Sequence, residues 1–123
     1  MLDKKLVFKT LEQSQLAGDQ IPVKRTHGQD SVISMLIHEI FGGEILKTHK
    51  NKKWHYYNRI DGERVDFTRR TKPAKSAFED IPASPEETSV YIDKADYLTF
   101  FDRFIKTFEE NVGLDKFRTG LST

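Results

Sequence analysis

The sequence predicts an α+β domain, with a small antiparallel sheet packed on a central helix and a C-terminal helix closing the structure. Three observations carry this. Residues 32–41 are apolar at helical spacing and stop at Gly42-Gly43. Two strand-like runs, Trp54 to Ile60 and Glu63 to Thr68, flank the hairpin dipeptide Asp61-Gly62. A long segment after Asp93 repeats aromatic residues at helical spacing.

The elements follow in chain order. Leu2, Leu6, Val7 and Leu11 predict a short amphipathic helix from Asp3 to Ser14, ended by Ala17-Gly18-Asp19. A loop with Pro22 runs to Gly28. Asp30 or Ser31 is placed to cap the central helix, because a short side-chain oxygen can accept the orphan N–H groups of a first turn. Val32, Ile33, Leu36, Ile37 and Ile40 form its apolar face, with Met35 and Phe41 at the margins. Glu44 to Thr48 reads as a strand, followed by a polar tip from His49 to Lys53. Residues 72–85 read as a loop with three prolines, and Ser89 to Ile92 as one more strand. The last helix runs from its cap Asp93 to Val112, with Tyr97, Leu98, Phe101, Phe104, Ile105 and Phe108 inward, and Gly113 ends it. The tail after Phe117 is expected to fray.

Length and composition narrow the function. A chain of 123 residues is the size of one domain, so residues 1–123 read as a single unit. Nine Phe, four Tyr and one Trp argue against disorder. The absence of cysteine excludes thiol chemistry and fits a reducing, cytoplasmic compartment. No apolar run approaches the roughly 20 residues that span a bilayer, so no membrane partner is expected. The net charge of +1 is unevenly spread. Residues 47–75 hold ten basic and three acidic groups, whereas residues 76–123 hold five basic and ten acidic.

The hairpin decides which side chains meet. With Asp61 and Gly62 as the turn, Ile60 faces Glu63, Arg59 faces Arg64, Asn58 faces Val65, Tyr57 faces Asp66, Tyr56 faces Phe67 and His55 faces Thr68. Trp54, Tyr56, Ile60, Val65 and Phe67 then share an apolar face. His55, Tyr57, Arg59, Arg64, Asp66 and Thr68 share a polar one. There His55 and Asp66 are diagonal neighbours within reach of a hydrogen bond. A carboxylate on one ring nitrogen orients an imidazole and stabilises its cation, as in the base half of a catalytic triad. The plain alternatives are a polar surface pair of His55 and Asp66, or a salt bridge among Arg59, Arg64 and Asp66.

Several motifs in order carry a family resemblance: Gly28-Gln29-Asp30, Phe41-Gly42-Gly43-Glu44-Ile45-Leu46, Trp54-His55-Tyr56-Tyr57-Asn58-Arg59 and Val65-Asp66-Phe67-Thr68. Together they resemble the YunG-like family of small, largely uncharacterised bacterial proteins. The resemblance implies a reduced papain-like fold in which Gln29, His55 and Asp66 match the family Gln, His and Asp. Asp30 stands at the position of the family Cys, with Ser31 beside it. An Asp at a helix start is stabilised by the same dipole as a thiolate, but it is no nucleophile for acyl transfer. Ser31 lies about 100° further round the helix.

The expected function is therefore a non-catalytic domain. It binds a polar ligand or protein segment through Gln29, Asp30, His55, Tyr57, Asp66 and Arg59, with no cofactor and no metal. One alternative is a hydrolase or transferase that uses the degenerate set His55, Asp66, Asp30, Ser31 and Gln29. Another is a nucleic-acid or protein interaction module built on the basic hairpin, where Lys47, Lys50, Lys52, Lys53, Arg59, Arg64, Arg69 and Arg70 accompany Trp54, Tyr56 and Tyr57. A metal on His49, His55 and Asp66 is disfavoured by the lysines around His49. His38-Glu39 is expected at or near the surface.

Overall fold

A computed structural model describes residues 2–16, 29–50, 52–68 and 78–118. They form α1 (Lys4–Leu16), α2 (Asp30–Phe41), β1 (Glu44–Lys50), β2 (Lys53–Ile60), β3 (Glu63–Val65), β4 (Ile81–Ala83), α3 (Pro85–Ser89) and α4 (Lys94–Arg118). The four strands make one antiparallel sheet in the order β3-β2-β1-β4, so the α+β expectation holds. The expected ends of α1 at residues 17–19, the loop to Gly28 and the tail after residue 118 lie outside the described residues.

α2 is the central helix because it is apolar on most of its circumference. Val32, Ile33, Leu36 and Ile37 are all buried in the main core with Val7 and Leu11 of α1 and Phe100 and Phe104 of α4. It ends at Gly42, which has φ +80° and whose N–H bonds His38 O at 2.9 Å. At its start the expected cap is corrected. Asp30 is the first helical residue, Gln29 holds the cap position without a side-chain bond, and the Asp30 carboxylate is used elsewhere. His38 and Glu39 lie at the surface side as expected, with His38 half-buried and Glu39 exposed.

α1 and α4 begin on true caps. Leu6 N–H donates to Asp3 Oδ1 at 3.1 Å, and Asp96 N–H to Asp93 Oδ1 at 3.1 Å. The inward stripe of α4 is Tyr97, Phe100, Phe104 and Asn111, rotated from the expected one, so that Leu98 is exposed and Phe101, Ile105 and Phe108 are half-buried. The rotation accommodates α1, whose buried Thr10 receives the amide of Asn111 at 3.0 Å. Gly113 does not end the helix, which continues to Arg118.

β1 ends at Lys50 and β2 opens at Lys53, and the β2–β3 hairpin turns on two residues. The expected five-residue tip is shorter, because His49 and Lys50 still belong to β1 and Lys53 already opens β2 opposite Lys50. Asp61 and Gly62 have φ of +52° and +77°, the conformation a type I′ turn needs. The register is the expected one for Ile60↔Glu63, Arg59↔Arg64 and Asn58↔Val65. Beyond Val65 the expectation fails: residues 66–68 turn away, and Asp66, Phe67 and Thr68 are not strand partners of β2. Phe67 drives the departure by burying its ring against Phe8 of α1, with centroids 5.0 Å apart.

Three further expectations are corrected. Ser89 to Ile92 is no strand; Ser84 caps the short helix α3 and accepts from Glu87 N–H at 3.1 Å, with Pro85 at its first turn. Within the expected loop at residues 72–85, β4 pairs with β1 as an outer strand, where Pro82 is tolerated opposite Leu46. Trp54 does not join the apolar face inward but is exposed at the sheet end, while Tyr57 on the polar side is buried beneath Phe78.

Candidate functional site

The site forms where β3 ends. In a two-residue hairpin the N–H and C=O groups of Ile60, Asn58 and Tyr56 point toward β3. β3 stops opposite Asn58, so the Tyr56 N–H has lost its strand partner. The first residue of α2 supplies the replacement, as Tyr56 N–H donates to Asp30 Oδ2 at 2.8 Å. α2 is held at this distance by Asn58, whose buried side chain donates to Ser34 O at 3.0 Å.

The same carboxylate oxygen lies 3.7 Å from His55 Nδ1, while His55 Nε2 lies 2.7 Å from Asp66 Oδ2. Asp66 is itself fixed by the turn it opens, since its Oδ1 accepts from Thr68 N–H at 3.0 Å and Thr68 Oγ1 at 2.5 Å. The imidazole is therefore clamped between two carboxylates from different elements. The side chains of His55, Asp30 and Asp66 retain 13%, 16% and 8% of their exposure, so the cluster touches solvent at its rim.

Burial of the ring opposes its positive charge. The hydrogen bond to Asp66 and the charges of Asp66 and Asp30 outweigh that cost, and the His55 pKa lies above its ordinary value. Burial likewise opposes ionisation of Asp66, but the bonds from His55 and Thr68 hold its carboxyl below the usual range. An imidazolium with both nitrogens facing carboxylates has no lone pair to accept a proton, so in this state it is no general base.

The other expected residues scatter. Ser31 is buried and its Oγ has no hydrogen-bond partner, so no hydrogen bond joins it to His55. Gln29 is exposed and makes no side-chain cap. Tyr57 is near, its ring stacked toward His55 with centroids 6.2 Å apart, and its hydroxyl donates to Asp80 Oδ1 at 2.8 Å. Burial and the Asp80 carboxylate push the Tyr57 pKa up, so it stays a neutral donor. Arg59 turns to Glu44 at 2.6 Å and leaves the cluster. Thr68 was placed on the polar face, but its role as the clamp of Asp66 was not anticipated; the short spacing Asp-x-Thr is the turn signal that could have shown it. Asp80, which receives Tyr57 and Arg64, was missed altogether.

No group of three His, Asp or Glu side chains among the described residues could hold a metal ion. His49 lies directly opposite Trp54 and His55 opposite Thr48, so the two imidazoles leave opposite faces of the sheet. Among the described residues no helix is long and apolar enough to cross a membrane.

The sequence profile described as YunG protein matches residues 7–109. The chain is similar to "Uncharacterized protein YunG" of Bacillus subtilis (strain 168), with 37% identity over 70 residues. That stretch is 57% of this chain and 61% of the relative, so the chain spans less than two thirds of the relative's length. No solved structure matches the chain.

Proposed function

The chain belongs to the YunG protein family, and we propose that it is a binding domain whose His55 cluster receives a polar, hydrogen-bond-donating ligand or protein segment. One observation carries this reading: His55 Nε2 and Nδ1 both face carboxylate oxygens, at 2.7 and 3.7 Å. The order of helix start, then His, then Asp is similar to that of papain-like proteins, with a carboxylate at the position of the thiol. Counted together, one imidazolium and two carboxylates leave an excess negative charge in a partly dehydrated setting, which favours a donor group or cation. Asp30 Oδ2 already serves Tyr56 N–H, which leaves Oδ1 as the acceptor for a ligand.

The alternative, acyl transfer through His55, requires a nucleophile beside the ring. The buried hydroxyl of Ser31 makes no hydrogen bond to it. A fluorophosphonate probe separates the readings. The binding domain is not labelled, and its His55 and Asp30 NMR signals shift on titration with an arginine-containing tripeptide; Asp30→Ala removes that shift. Labelling that depends on His55 supports the enzyme instead.

A further inference from the structure

β2 outlasts the strand beside it. β2 runs from Lys53 to Ile60, but β3 pairs with it only from Asn58 to Ile60. By the alternation of the ladder, the N–H and C=O groups of Trp54 leave the same edge as those of Tyr56. Asp30 takes the Tyr56 N–H at 2.8 Å. Among the described residues no hydrogen bond reaches the outward N–H or C=O of Trp54. Trp54 itself is 36% exposed. An open strand edge of this kind is a template for another strand.

The groups along the edge decide which strand fits. Asp30 occupies the edge position beside Tyr56, so a strand paired at Trp54 has to end there. Its end faces the unbonded Oδ1 of Asp30, in a cluster with excess negative charge that suits an ammonium group. On the other side of Trp54 the charge reverses. Lys53 is exposed and lies directly opposite Lys50, so the two share one face of the sheet. Neither lysine has an ion pair among the described residues.

We propose that the edge at Trp54 docks the amino terminus of a polypeptide as an added antiparallel strand. Its ammonium group meets Asp30, its second residue exchanges both backbone hydrogen bonds with Trp54, and an acidic third residue lies beside Lys53 and Lys50. The direction follows from the charges: the segment starts at Asp30 and runs toward Lys53, against β2. Alternation puts the second side chain on the face of Trp54, where an apolar residue packs on the exposed indole, and the third on the face of Lys53. The inference rests on the reading of the His55 cluster as a binding site and names the kind of segment it takes.

The probe is the C-terminally amidated tripeptide Ala-Val-Glu, titrated against the full chain. Hydrogen exchange of the Trp54 amide should slow as it binds. Acetylating the peptide amine should weaken binding about tenfold or more, and so should methylating the nitrogen of its second residue. Lys53→Glu, at an exposed position, should lower affinity for this peptide about threefold and raise affinity for amidated Ala-Val-Lys by a similar factor, which fixes the register. Equal binding of the acetylated peptide, or a Trp54 amide left unprotected at saturation, overturns the proposal. If an acetylated arginine tripeptide still shifts the Asp30 and His55 signals while Ala-Val-Glu leaves Trp54 unprotected, the cluster stands as a binding site and only the strand inference falls. If neither peptide binds, both fall.

Discussion

Asp30 Oδ2 receives the backbone N–H of Tyr56 at 2.8 Å, at the place where the sheet edge has lost its outer strand. A residue expected to cap its own helix instead caps a strand. Together with the Asn58 bond to Ser34 O, that contact ties α2 to β2, and it sets the Asp30 charge beside His55.

Removing it should be costly. Asp30→Ala leaves a half-buried amide without an acceptor and is expected to destabilise by about 1–3 kcal/mol. Asp30→Asn keeps an acceptor oxygen and should lose less. Urea denaturation of both variants checks the order; equal stabilities would mean that the edge amide does not depend on residue 30.

The clamp also predicts a pH profile. The folded pKa of His55 is raised, so its contribution is complete below the ordinary histidine value and fades as pH rises through the higher folded value. That of Asp66 is lowered, so its contribution is present above the ordinary carboxyl value and is lost as pH falls through the folded one. Stability should therefore decline on both sides of a plateau in mildly acidic solution. His55→Gln should flatten the decline on the alkaline side, as followed by denaturation midpoints across the range. A wild-type midpoint that rises there would contradict the clamp.

Ser31 tests the division between binding and catalysis. Its buried hydroxyl has no partner, a state that costs about 1–3 kcal/mol when the group cannot reach water. Ser31→Ala should leave stability unchanged or raise it by up to about 1 kcal/mol, and tripeptide binding should be unaffected. A clear loss of stability would show that the hydroxyl has a partner after all.

The two glycines after α2 should respond differently. A Cβ on Gly43 would overlap the carbonyl oxygen of Arg59, and φ is +76°, so Gly43→Ala should destabilise by more than about 2 kcal/mol. At Gly42 nothing lies within 4 Å, and only the positive φ is penalised, by about 1–2 kcal/mol. Paired thermal melts compare them; a milder effect at Gly43 would mean that β2 yields there.

These residues also show what the sequence can reveal. The Asp61-Gly62 turn and the register next to it were legible because turn chemistry and alternation agree. The pairing of His55 with Asp66 was legible for a partly wrong reason: a turn anchored by Phe67 brings them together, not a diagonal of the sheet. β4 was hidden because three residues around Pro82 have no periodicity to read. Tyr57 lies on the expected face, but its burial was not legible because its cover, Phe78 and Asp80, comes from a distant segment that local pattern cannot place. The Ser84-Pro85-Glu86-Glu87 start of α3 carries the sequence pattern of a capping box, a signal that outweighs the strand-like residues after it.

Asp30 and Asp66 together favour the positively charged form of the imidazole of residue 55. Nitrogen-15 NMR of the four histidine side chains through a pH titration measures this directly. His55 is expected to carry protons on both nitrogens at pH 6.5 and to titrate above the ordinary histidine value, falling back when Asp66 is replaced by Asn. A neutral His55 ring at that pH, or a titration midpoint at or below the ordinary value, would contradict it.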